Sequence, residues 1–235
     1  MPTENKSYFH KCQFFPAGIP REKFKNIVRS IRKQRAFERS LNFSQEEWVN
    51  IDENRDFILD SKAAREAAHY VVDFLKYYFE NRNQVLDVLD LGGGTGGFLK
   101  ELTVEAAKAG FRIRGTLATL VDYFARKGEP VPSDTKLAIT SAELPPEEFY
   151  RAFHVVASIN GPLQWSSYPE IVSENIVNMI RAEGIAFLHD GLNICNPNFI
   201  LSRGLRSSRI VDKIPIIAGK DENQDSVNYI FLKLA

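Results

Sequence analysis

Cysteine is nearly absent from this chain. Cys12 and Cys195 are the only two in 235 residues, too few and too far apart for a disulfide framework or a cysteine-ligated zinc site. No metal is expected. An excess of charge of one sign is lacking too. Thirty Lys and Arg face thirty Asp and Glu, so the formal net charge is +0. A balanced chain gives no chain-wide argument for nucleic acid or an anionic membrane. No apolar run reaches about 18 residues, so no segment is expected to span a bilayer. The stretch Met1 to Lys6 has no apolar core of a secretory signal. The sequons Asn5-Lys-Ser and Asn42-Phe-Ser are therefore discounted, and a cytoplasmic compartment is expected, with a nuclear one as the alternative. Internal repeats and low-complexity tracts are missing as well. What remains, 44% apolar residues over 235 positions, supplies the core of one α/β domain with an extension, or of two small domains at most.

Glycine, in contrast, is crowded into one place. The run Leu89-Asp90-Leu91-Gly92-Gly93-Gly94-Thr95-Gly96-Gly97-Phe98 follows an apolar stretch and precedes a helical pattern from Phe98 to Ala109. Strand, glycine turn and helix in that order place bare main chain and a helix N-terminus at the carboxyl edge of a parallel sheet, where nucleotide-like ligands bind. Gly92, Gly94 and Gly97 satisfy the dinucleotide spacing G-x-G-x-x-G, though among so many glycines the match is partly trivial. A Walker A loop is ruled out, since no Lys-Ser or Lys-Thr follows the glycines. The bland alternative is a tight turn that binds nothing.

The whole string, D-L-G-G-G-T-G-G-F with its acid just ahead of the glycines, resembles motif I of the class I S-adenosylmethionine-dependent methyltransferases. A fainter echo is of plant methyltransferase-like proteins with a G-G-G-T-x-x-F loop. The resemblance implies a seven-stranded, mostly parallel, doubly wound α/β sheet of Rossmann-like type and S-adenosyl-L-methionine as cofactor. It further implies that Asp90 sits near the methionine ammonium, and that Gly92, Gly93, Gly94, Thr95, Gly96 and Phe98 form the cofactor turn.

Upstream, residues 1–59 read as an N-terminal extension and 60–235 as the methyltransferase-like domain. From Arg21 the chain turns basic: Arg21, Lys23, Lys25, Arg29, Arg32, Lys33, Arg35 and Arg39 face only Glu22 and Glu38. Phe24, Ile27, Val28 and Ile31 recur at helical spacing. The amphipathic helix so predicted either grips an anionic partner, RNA or protein, through 21–39, or simply shows water a solvated face over a packed stripe. Ser44-Gln-Glu-Glu47 has capping-box spacing. A long helix from Asp60 or Ser61 carries an apolar face from Ala64 to Phe79. His69 is read as a surface or packed side chain.

The second strand is expected over Phe111 to Val121. Its end is where the family places an acid for the cofactor ribose, and here the sequence departs from the pattern. Thr116 to Thr119 occupy the region and the first acid is Asp122. Asp122 serves the ribose, or Thr116 or a backbone group takes over and Asp122 only caps the next helix. After a third short strand, Leu137 to Ile139, the run Ser141-Ala142-Glu143-Leu144-Pro145 resembles the family's post-strand phrase, whose acid bonds the adenine amino group. Serine holds the usual acid position. Ala142 and Glu143 are the candidate contacts, against a plain proline-terminated loop.

Phe153 to Ile159 reads as the fourth strand, with His154 packed inside it. Asn160-Gly161-Pro162-Leu163 then stands at motif IV, lacking both the [DN]-P-P-[YFW] of amino-group enzymes and a Pro-Cys nucleophile. Asn160 either touches cofactor and orients an acceptor or caps the turn, and Trp165 and Tyr168 either wall a pocket or join the core. A helix over Tyr168 to Arg181, ended by Glu183-Gly184, leads to a fifth strand, Gly184 to His189. His189 at its end is a candidate general base for a hydroxyl acceptor, having an ordinary pKa near working pH. A short helix is expected over Pro197 to Arg203, and two more strands, Ile210 to Ala218 and Val227 to Leu234, form a hairpin-like pair.

The expected activity is methyl transfer to an O or N acceptor, with a small molecule favoured. Two alternatives stand beside it: a catalytically silent interaction module of the same fold, and an RNA-directed methyltransferase using helix 21–39.

Overall fold

A computed structural model describes residues 20–40, 61–79, 82–120, 122–159, 161–190 and 227–232. Four expectations lie outside the described residues: the capping box at 44–47, Asn160, the helix at 197–203 and the strand at 210–218.

Strand β1 (Val85–Leu91) is central. It pairs in parallel with β2 (Arg112–Thr119) on one side and β4 (Phe153–Ile159) on the other. With β3 (Thr135–Ile139), β5 (Ile180–Asp190) and β6 (Val227–Leu232), the sheet order is β3-β2-β1-β4-β5-β6. Among the described strands only β6 runs antiparallel, beside β5. The order reverses between β1 and β4, which opens a crevice at the carboxyl edge there. Strands covered on both faces need near-continuous apolar sequence, and Val88 to Leu91 supply it around Asp90 and Phe153 to Ile159 around His154 and Ser158.

Helices α1 (Arg21–Ser40), α2 (Ser61–Tyr78) and α3 (Gly97–Lys108) precede or follow β1. One face of the sheet carries α2 and α3, with Val71, Leu75, Leu99 and Leu102 closing over Leu86, Val88, Leu117 and Phe187. The opposite face buries Leu89, Leu91, Val156 and Leu188 beneath Val172 and Ile176, from a later helix over Pro169–Met179. Between these lie the short helices α4 (Tyr123–Lys127) and α5 (Pro162–Trp165), so the Pro169–Met179 helix is α6. Helix α1 docks by its apolar stripe: Ile31, with Ile27 and Val28 beside it, packs on Leu144, Ile171 and Tyr168.

Several boundaries differ from the sequence expectation, β2 among them, which runs Arg112–Thr119 and not Phe111 to Val121. Helix α6 stops at Met179, not at Arg181, and β5 begins at once with Ile180. Ile180 pairs with Phe153 and is buried with it, and that apolar contact overrides the helical spacing. Glu183, at φ 60°, takes up the resulting shift of register between β4 and β5. Strand β3 starts two residues early, at Thr135, because it follows β2 from Gly115 onward.

His154 marks the amino end of the sheet, away from the glycine turn. Its Nδ1 accepts the Asp87 N–H at 3.0 Å, and the Arg181 guanidinium lies 3.1 Å from Nε2. Asp87 in turn takes Arg114 at 2.5 Å, and Phe79 meets the imidazole edge-on. Burial, followed by the charge of Arg181, holds the imidazole below its ordinary pKa against the opposing pull of Asp87. A base with a depressed folded pKa favours the unfolded chain once protonated, so this contribution is full above about pH 6.5 and declines as pH falls through it. The wild type should therefore lose its thermal advantage over His154→Gln, whose amide oxygen also accepts the Asp87 N–H, between pH 7.5 and 5. The expected narrowing is about 2–4 °C for each kcal/mol. A melting-temperature difference constant across that range would contradict this assignment.

Candidate cofactor site

At the end of β1 the main chain makes three left-handed steps, at Gly92 (φ 79°), Gly94 (φ 54°) and Gly96 (φ 81°). Gly92 N–H donates to Ala118 O at 2.8 Å, tying the turn to β2, and Gly96 N–H donates to Gly93 O at 2.7 Å, closing it. Gly96 then caps α3 without any side-chain bond to the first-turn N–H groups. Thr95 and Gly96 border a cavity of about 190 Å³ between α3 and β2, walled by Leu99, Leu117 and Phe124.

Asp90 lies directly beneath this turn. A Cβ placed on Gly93 would overlap its carboxyl group. The side chain is 1% exposed, and neither carboxyl oxygen has a hydrogen-bond partner among the described residues. Burial alone pushes its pKa up to about 7. Buried polar atoms are ordinarily paired, and leaving one unpaired costs about 1–3 kcal/mol. A carboxyl group held in this state, under main chain that carries no Cβ, is suited to a cationic or hydrogen-bond-donating ligand. These residues fit the methionine end of S-adenosylmethionine.

The turn after β4 closes against the turn after β1. A Cβ on Gly92 would come within 2.5 Å of Pro162 Cδ. One on Gly161 would come within 2.8 Å of Leu91 O, and closer still to Ser158 Oγ. Ser158, 2% exposed, has no partner for its hydroxyl among the described residues. No sequence signal singles it out within the apolar strand. The glycines after β1 and the Gly161-Pro162 pair thus form one packed unit at the switch point of the sheet.

The remaining sequence candidates are spread around this unit. Phe98 points into the core, 4% exposed and stacked on Phe187 at 6.4 Å, so its ring packs the α3 face of the sheet. Thr116 is inside β2, level with Leu89, and the residue at the carboxyl end of that strand is Thr119. Asp122 caps α4, its Oδ1 accepting the Ala125 N–H at 2.8 Å. Ala142 and Glu143 are buried in the loop after β3. The Glu143 carboxylate accepts from Ser141 Oγ and, at 2.7 Å, from Ser166 Oγ. Asn175 on α6 donates to Ala142 O at 2.8 Å and Glu143 O at 3.0 Å. Ser166 and Asn175 carry no motif that marks them in the sequence. In Asn175's case the only trace is the polar break, Ser173 to Asn175, in an otherwise apolar helix. His189 lies near the carboxyl end of β5, in register with Ile159 and Asn228.

No family model matches the chain. No curated protein matches it either. Solved structures do. The CurJ carbon methyltransferase superposes with a TM-score of 0.54 at 9% identity, over 73% of this chain and 54% of that one. The 1,6-didemethyltoxoflavin-N1-methyltransferase of Burkholderia thailandensis, with 1,6-didemethyltoxoflavin and S-adenosylhomocysteine bound, gives 0.51 at 16% identity over 94% of this chain and 93% of its own. A TehB-like SAM-dependent methyltransferase of Corynebacterium glutamicum gives 0.50 at 15% identity, over 83% and 98%. The chain therefore spans about half of the first structure and nearly all of the other two. At these identities the likeness is one of architecture: the chain has the class I methyltransferase fold.

Proposed function

We propose that the chain binds S-adenosylmethionine and transfers its methyl group to a nitrogen or oxygen of a small molecule. One observation carries this reading: the unpartnered, buried Asp90 carboxyl under Gly93, at the switch point of a methyltransferase fold. The near full-length likeness to a 1,6-didemethyltoxoflavin-N1-methyltransferase supports a small acceptor. The cofactor supplies a methyl group on an already electrophilic sulfonium, so the protein's work is alignment and exclusion of water. In this reading Asp90 receives the ammonium group, the glycine turn lets the ligand lie against main chain, and the Thr140–Pro146 loop flanks the base. Asn160 and His189 are assigned to the acceptor, with His189 the base where the acceptor is a hydroxyl. A cytoplasmic location accompanies the reading.

Calorimetry tests it. S-adenosylmethionine and S-adenosylhomocysteine are each expected to bind with a Kd below 1 mM; no heat with either at several millimolar removes the cofactor and leaves a silent module. The lack of an acid at the end of β2 is what favours that rival.

A second reading concerns the extension, residues 1–59. Helix α1 buries Ile31 and leaves Lys23, Lys25, Arg29, Arg32 and Lys33 exposed. That face suits phosphate groups, which makes an RNA-directed enzyme the runner-up to a small-molecule one. Single-stranded RNA binding should then weaken with salt at a slope of about −0.7 per phosphate contact, and Arg29, Arg32 and Lys33 all changed to Glu should lower affinity at least tenfold. Binding indifferent to those three changes removes this reading.

A further inference from the structure

In the cofactor reading above the loop Thr140–Pro146 flanks the base, and its polar side chains are bonded within the protein. Thr140 Oγ1 donates to Leu144 O at 3.2 Å. Ser141 Oγ engages the Glu143 carboxylate and accepts the Glu143 N–H at 3.2 Å. Ser166 donates to the other carboxylate oxygen of Glu143 while accepting the Tyr168 N–H at 2.8 Å. Asn175 holds two loop carbonyls from below, and Ile31 of α1 with Ile171 of α6 buries Leu144. Ser141, Glu143 and Leu144 are each no more than 2% exposed.

We propose that this loop is a braced wall that meets a purine by packing and main chain only. Glu143 is a positioning residue that locks the wall, and the exocyclic amino group of adenine adds little to affinity. The inference rests on the cofactor reading above. It also gives the serine in the usual acid position a consequence: with Ser141 bonded to Glu143, the one carboxylate of the loop faces inward. A carboxylate that accepted from the amino group would separate ligands with and without it by about tenfold to a hundredfold, the ordinary worth of a charge-assisted hydrogen bond. A wall of packed main chain would not.

The test compares S-adenosylhomocysteine with its analogue carrying unsubstituted purine in place of adenine, by calorimetry on the full chain. The two should bind within fivefold of each other. Glu143→Gln keeps an oxygen and an amide for the two serine hydroxyls, and should leave both affinities within threefold of wild type. Glu143→Ala removes the brace and should weaken both ligands together, by tenfold or more, with their ratio unchanged. A preference for adenine beyond fivefold that Glu143→Gln erases would overturn the inference while leaving the cofactor reading intact. Failure of both ligands to bind the wild type would overturn the two together.

Discussion

Asp90→Asn is expected to stabilise the protein above neutral pH and to cost it the cofactor. The stability half follows from linkage. The folded carboxyl titrates at about 7 instead of its ordinary 3.8, because burial disfavours the charge. An acid whose folded pKa is raised binds its proton more tightly in the native state. Its contribution is therefore most favourable below about pH 4, falls as pH rises to about 7, and is flat beyond. Over that span the loss is roughly 4 kcal/mol at most, since each tenfold change in proton affinity is worth about 1.36 kcal/mol. Asparagine does not ionise. At pH 8 the variant should melt several degrees above wild type, at about 2–4 °C for each kcal/mol, less what its own buried amide costs. At pH 5 the advantage should shrink to about a third, and below about pH 4, where the carboxyl is protonated in the folded and the unfolded chain alike, it should vanish. The binding half has the opposite sign. A buried charge facing a cationic ligand is worth about 1.5–3 kcal/mol, so affinity for S-adenosylmethionine should drop by about 10- to 100-fold. In the wild type, affinity should climb by up to tenfold per pH unit on approaching 7 from below, since the carboxyl must give up its proton to receive the ammonium. A variant that melts below wild type at pH 8, or binds within tenfold of it, would show that Asp90 is not waiting for a cation.

The sheet is legible in the sequence because its strands obey the simplest rule available to a chain: a strand covered on both faces must be apolar along its length. That rule alone bounds Phe153 to Ile159 where the structure has it. Where the signal is shared, the boundary slips. Ile176, Val177 and Ile180 keep helical spacing, yet Ile180 goes to the sheet because Phe153 offers it a buried partner that the helix does not. A contact between residues 27 positions apart leaves no local trace.

The candidate site divides along the same line. The glycine turn announces itself, since few other reasons crowd five glycines after an acid. Pairings across the fold do not. Glu143 reads as an available carboxylate until Ser166, 23 residues on, is seen to occupy it. Asp122 reads equally as ribose acceptor or helix cap, and the bond that shows the cap, from Ala125 N–H to its Oδ1, is visible only in the structure. Composition tells which groups a loop owns; only the packed structure tells which of them are already spent.

Gly93→Ala should damage ligand binding more than alanine at Gly94 or Gly97, and those two neighbours supply the controls. Gly93 does not have a left-handed φ, so alanine is conformationally acceptable there; the obstacle is space. A Cβ would overlap the Asp90 carboxyl, lying 2.6 Å from Oδ1 and nearer still to Oδ2. The carboxyl is walled in on its own face of the sheet, with Leu117 and Ala157 its register partners in β2 and β4. Either the turn lifts away or the carboxyl rotates, and overpacking of this kind costs about 1–3 kcal/mol. Both escapes destroy the cradle, so affinity for S-adenosylmethionine should fall by about 100-fold or more. Gly97→Ala meets nothing within 4 Å, has no left-handed φ and opens α3, so it should bind normally and gain up to about 1 kcal/mol of helix propensity. Gly94→Ala also meets nothing within 4 Å, but its φ of 54° should cost about 1 kcal/mol without closing the site. Melting temperature and Kd across the three variants separate space from conformation. Should Gly93→Ala bind as tightly as Gly97→Ala, the contact between turn and carboxyl has no part in holding a ligand.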